Sequence, residues 1–158
     1  MRTSVPPRSP TPIVSVLVCC VGLAAACGDP PRRFTEPMVL GGQSVPPEVL
    51  DRGARVYGLY CVSCHGADGS GRAAASRSME TPPRDFREAA FRYVSGPEGS
   101  LPTDADLEAT IRRGRPGTGM PPWDGLPAED VHAVIQFIKT FSPRWTTEAP
   151  SKKEGGEG

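Results

Sequence analysis

The stretch YCVSCHGADG, residues 60–69, constrains this chain more than any other part of it. Cys61 and Cys64 are separated by two residues, and His65 follows at once. Three chemistries use such a run: a disulfide or redox dithiol, a zinc site, and a covalently attached haem. A thioredoxin-like dithiol needs alternating strand and helix patterns around it, and the flanking sequence has none. A closed zinc site needs four ligands, commonly in paired knuckles. The chain has 2 histidines, His65 and His132, and no second C-x-x-C. Haem meets no such objection. Two thiols held a fixed short distance apart on one turn can add to its two vinyl groups, and the next histidine then falls beneath the iron.

Attachment of this kind belongs outside the cytoplasm, and the N-terminus supplies a route there. Arg2 and Arg8 precede IVSVLVCCVGLAAA, residues 13–26, an apolar run too short for a membrane span and right for the core of a signal peptide. AAACGD follows and resembles the bacterial lipoprotein signal, which implies that Cys27 receives lipid. The departure is Ala24, three residues before Cys27, where that signal prefers Leu; Leu23 is one step off. Ordinary cleavage nearby and an uncleaved anchor remain open, and all three place the domain on the periplasmic side of a bacterial membrane. Of 5 cysteines, Cys19 and Cys20 fall in the apolar core and Cys27 at the processing site, leaving Cys61 and Cys64 for the folded domain.

A chain of 158 residues holds about one domain, and 18 basic side chains against 18 acidic ones give no reason to expect a nucleic-acid partner. With 19 Pro and 18 Gly, regular structure must be concentrated in few segments. Pro46 and Pro47 can start a helix whose Leu50, Ala54, Tyr57 and Cys61 share a face, so that it delivers the C-x-x-C-H turn. Thr103, with Asp106 three residues on, caps a second helix carrying Leu107 and Ile111 and stopping at Gly114. Pro127 opens AEDVHAVIQFIKTF, the strongest helical period in the chain. Asp85–Tyr93 reads as a short helix. The expected partition is a signal peptide at 1–26, a Pro-rich flexible tether at 27–46, the domain at 47–142 and a disordered tail at 143–158.

GARVYGLYCVSCHG, GTGMPPW and the C-terminal helical pattern together resemble the class I cytochrome c family, in its small bacterial mono-haem form, over residues 47–142. The resemblance implies an all-α fold of three to four helices wrapped around one covalently bound haem c. It makes Cys61 and Cys64 the thioether residues and His65 the proximal iron ligand. Such domains take a sixth ligand from a late methionine. Of the 4 methionines, Met1 leaves with the signal, Met38 lies in the tether and Met79 follows His65 closely; Met120 stands between glycines and two prolines. Met120 is therefore the choice, with His132 as the alternative.

Further residues follow from the same resemblance. The first and last helices are expected to cross at Gly53, Tyr57 and Phe137. A proline carbonyl, from Pro83 or else Pro82, holds the other nitrogen of the histidine ring. Arg84 and Trp123 are candidates for the haem propionates. From charge alone, the compact run Arg112, Arg113 and Arg115 reads either as a docking patch or as a solvated helix end. An electron-transfer protein is expected rather than an enzyme: a tethered carrier between redox partners, or a fixed haem subunit of a quinol-oxidising or terminal reductase complex. A five-coordinate haem enzyme or ligand sensor is the rival of different class.

Overall fold

The Pro46–Pro47 pair does what its chemistry predicts. In the computed structural model, which describes residues 34–150, Pro46 is extended and the first helix, α1, runs Pro47–Tyr60. Pro47 fits the first turn because its missing N–H has no partner to lose there. A single turn, α2, follows at Val62–His65, so the cysteines and the histidine sit where one helix hands over to the next. Among the described residues three more helices follow: α3 at Asp104–Arg113, α4 at Ala128–Lys139 and the short α5 at Arg144–Thr147. A 3-10 turn lies at Ala74–Ser76.

The core forms where α1 packs on α4. Leu50, Val56 and Tyr57 from α1 meet Val131, Val134, Ile135, Phe137 and Ile138 from α4, all buried. Each side chain of this size contributes about 1.5–3 kcal/mol when fully removed from water. The crossing point is Gly53. A Cβ there would overlap the Ala133 carbonyl and lie 2.7 Å from Phe137 Cβ, so only glycine lets the two backbones approach this closely. Tyr57 and Phe137 fill the space beside it, with ring centroids 5.3 Å apart. The expected crossing is thus found at the expected residues.

α3 is fastened to α4 by a polar cluster. Lys139, 1% exposed, pairs with Asp104 and donates to Gln136 Oε1 at 2.9 Å, while Gln136 donates to Asp104 Oδ2 at 2.6 Å. A buried ammonium is tolerable only when paired and hydrogen-bonded in this way.

The described ends correct the expected partition. Residues 38–45, expected within a flexible tether, form an antiparallel hairpin: β1, Met38–Leu40, pairs with β2, Gln43–Val45, in the register Met38 to Val45. Gly41 and Gly42 both take positive φ, as a tight two-residue hairpin turn requires. Leu40 is fully buried, and Phe34 packs edge-on against Phe137 at 6.2 Å. At the other end, α5 stands where a disordered tail was expected, because Trp145 is buried to 1% exposure and its carbonyl accepts from Gly41 N at 2.6 Å. Apolar burial orders both segments despite their prolines. The expected signal peptide at 1–26, Cys27 and the last eight residues lie outside the described residues.

A helix was also expected at Asp85–Tyr93, and none forms there. Phe86–Ala89 makes a turn, with Ala89 N donating to Phe86 O at 3.2 Å and Ala89 at φ +47°. A left-handed residue at that point stops any helix from propagating. The loop is held from outside instead: Arg144 donates to the Ala89 and Gly99 carbonyls at 3.0 and 3.1 Å while pairing with Glu148.

Candidate functional site

α1 ends by presenting Cys61, whose N–H donates to Tyr57 O at 2.9 Å, and α2 carries Cys64 and His65 round the same turn. Both cysteines are unpaired and half-buried. Burial, with Cys64 nearby, pushes the Cys61 thiol up to about 12, which keeps it neutral. The turn is locked from behind by Tyr57, whose hydroxyl donates to Gly66 O at 2.7 Å; burial holds this phenol well above its usual range. Gly71 N then donates to His65 O at 2.8 Å, and Phe86 N to Gly69 O at 2.8 Å.

His65 is oriented on two sides. Its ring stacks on Phe86 with centroids 4.4 Å apart and planes 13° from parallel. Its Nδ1 faces the Arg84 carbonyl at 3.3 Å. A carbonyl can only accept, so this contact puts the ring proton on Nδ1 and leaves the Nε2 lone pair free, the arrangement that fixes and strengthens a ligating imidazole. Burial lowers the His65 pKa, partly offset by the Arg84 contact, so the ring is neutral as a metal ligand must be. The expected proline carbonyl is displaced by one position. Pro83 O is turned toward Gly71, and the next carbonyl reaches the histidine.

Met120 lies in the loop between α3 and α4, half-buried at the margin of the core cluster, as are Cys61 and Trp123. Trp123 ties this loop to the attachment turn: its ring packs on Tyr60, the residue before Cys61, at 5.2 Å, and its backbone N–H donates to Ile111 O at 3.1 Å. Met79 borders the same loop, since a Cβ on Gly119 would lie 2.9 Å from its sulfur. His132 is exposed on α4.

The arginine run is not the free patch its spacing suggests. Arg112 is spent on Glu108 at 2.7 Å and on the Asp124 and Leu126 carbonyls, and Arg115 turns inward against Tyr93 and Thr110. Arg113 alone of the three is exposed. Arg84 meets the site through its backbone. Tyr57 as lock, Phe86 as stacking partner and Arg115 as loop anchor were not assigned these roles from sequence. Only for Tyr57 was there a signal, its place four residues before Cys61 on the buried face.

These features fit a haem: two unpaired thiols on one turn, a neutral imidazole with one nitrogen presented, a thioether in the loop that Trp123 joins to that turn, and a buried Arg115 Nε with no hydrogen-bond partner among the described residues. Fold and turn together define a class I cytochrome c domain. The chain belongs to the family described as cytochrome c oxidase, cbb3-type, subunit III, whose model matches residues 48–138. Membership makes it a haem-binding electron-transfer protein. Among solved structures it is similar to a chain of the reducing HAO-like protein complex of Kuenenia stuttgartiensis, with 39% identity and a TM-score of 0.64. The match covers 66% of this chain and 47% of that one, so this chain spans about half the length of its solved relative. No curated protein matches the chain.

Proposed function

We propose that the chain is an exported mono-haem cytochrome c that carries single electrons between respiratory partners on the periplasmic side of a bacterial membrane, tethered there by lipid on Cys27. In this reading the helices close around one haem, held through thioethers by Cys61 and Cys64. His65 Nε2 and the Met120 sulfur would hold its iron, and Pro83, Arg84 and Trp123 would line its surroundings. Haem held this way supplies a one-electron couple, whose potential a thioether ligand raises relative to two nitrogen ligands. The chain's own groups prepare the place for it. The Arg84 carbonyl and Phe86 fix the imidazole, Tyr57 holds the turn that aligns both thiols, and the Tyr60–Trp123 contact keeps the methionine loop beside it.

The attachment turn carries the reading: unpaired Cys61 and Cys64 with an oriented, neutral His65 directly after them. The optical spectrum of protein matured in a strain competent for cytochrome c assembly tests it, with Met120→Ala and Met79→Leu beside the wild type. The expected result is a low-spin c-type spectrum with the weak far-red band of methionine sulfur on ferric iron, lost in Met120→Ala and kept in Met79→Leu. A high-spin wild type would move the assignment to ligand binding or catalysis.

A second reading has its own support. The matched family is described as an oxidase subunit, and the solved relative is a chain of a protein complex. A fixed subunit would copurify with its complex from solubilised membranes at constant stoichiometry, whereas a carrier would separate from it in salt.

A further inference from the structure

We propose that Arg115 and Tyr93 form a latch that positions Met120 and sets how firmly its sulfur is held against competing ligands. The proposal rests on the reading of Met120 as an axial ligand. Arg115 grips the loop through its backbone on both sides of the methionine. Its N–H donates to Met120 O at 2.9 Å, and its carbonyl accepts from Thr118 N at 3.0 Å and Thr118 Oγ1 at 2.7 Å. That same Thr118 hydroxyl accepts from Met120 N at 3.2 Å. Both backbone polar groups of Met120 are therefore tied to residue 115, directly or through one hydroxyl.

The side chain supplies what the loop lacks. Residues 116–119, 121 and 122 are exposed, so the loop has little packing of its own. The Arg115 guanidinium donates from Nη2 to Thr110 Oγ1 on α3 at 2.9 Å, and its Cζ lies 3.2 Å from the centroid of the Tyr93 ring. A planar guanidinium stacked on an aromatic face and hydrogen-bonded to a hydroxyl is held more rigidly than a lysine could be. Tyr93 is 56% exposed, which makes its ring a cover over the arginine and not a member of the core. The loop is thus pinned at one end by this latch and at the other by Trp123.

The test is the affinity of the ferric holoprotein for imidazole, followed as loss of the far-red methionine band. Removing a partly desolvated cation–π contact should raise that affinity about tenfold in Tyr93→Ala. Tyr93→Phe keeps the ring and should bind imidazole as the wild type does. Arg115→Gln should shift the affinity in the same direction as Tyr93→Ala, and the double variant should add little, because both members of one contact are already gone. Exposure of Tyr93 keeps the unfolding temperature of Tyr93→Ala near the wild-type value. A band lost in Met120→Ala but an imidazole affinity unmoved by Tyr93→Ala overturns the latch alone. A wild-type band that survives Met120→Ala overturns the ligand reading and the latch with it.

Discussion

Gly53 shows how much can depend on one missing methyl group. Its Cα lies where α1 and α4 touch, and a side chain there meets backbone that cannot turn aside. Gly53→Ala is expected to cost about 3 kcal/mol by overpacking. Gly58→Ala, five residues along the same helix with open space around it, should instead stabilise by about 1 kcal/mol. Denaturant titration of both holoproteins checks the pair, and equal effects would mean that the crossing is softer than it looks. That Cys61, Cys64 and His65 share one turn was legible because their spacing along the chain is local. Gly53 was legible only through the family resemblance. The Arg84 carbonyl was missed by one residue because a backbone contact depends on the path of a loop that has no period to read. Neither reading of Arg115, docking cation or solvated helix end, foresaw its inward contact, because its partner Tyr93 lies in that same loop.

Among the elements, α3 is the one whose beginning is written most fully. Thr103 and Asp106 form a complete capping box, with Asp106 N donating to Thr103 Oγ1 at 3.2 Å and Thr103 N donating to Asp106 Oδ2 at 2.8 Å. Burial raises the Asp106 pKa, but hydrogen bonds from Thr103 and Ser95 outweigh it and leave the group below the usual carboxylate range. A depressed folded pKa means stability that is present above the unfolded value, near 3.8, and lost as pH falls through the folded one. Asp106→Asn should therefore cost about 1 kcal/mol at pH 7, with the difference from wild type shrinking below pH 4. Melting curves at several pH values check this, and a difference that persists undiminished in acid would mean that the charge is not what matters. The helices α1, α3 and α4 could be read because proline, threonine and glycine punctuate a 3.6-residue period. The hairpin had its own signal, Gly41-Gly42 directly after the apolar run Met38-Val39-Leu40, but the surrounding prolines obscured it.

Taken whole, the molecule is larger than its motif-bearing part. Trp145 fills a site against Leu40 and the Phe91 ring and lies over the Lys139 ammonium at 5.3 Å, so a residue from the supposed tail supports the core. Trp145→Ala should cost about 3–5 kcal/mol and lower the unfolding temperature by more than about 10 °C. A shift of a degree or two would return the segment to the status of an ornament. It was illegible in advance because one buried tryptophan in a polar stretch carries no periodicity; only long-range contact reveals its place. The bond from Gly41 to the Trp145 carbonyl joins the first described element of the domain to its last. A polypeptide made N-terminus first delivers that glycine long before its acceptor. The hairpin must wait, unsealed, while everything between them is made, and the finished fold then resists fraying at both described ends. Amide exchange at Gly41 should be as slow as in the middle of α4, a terminal segment with the protection of a core.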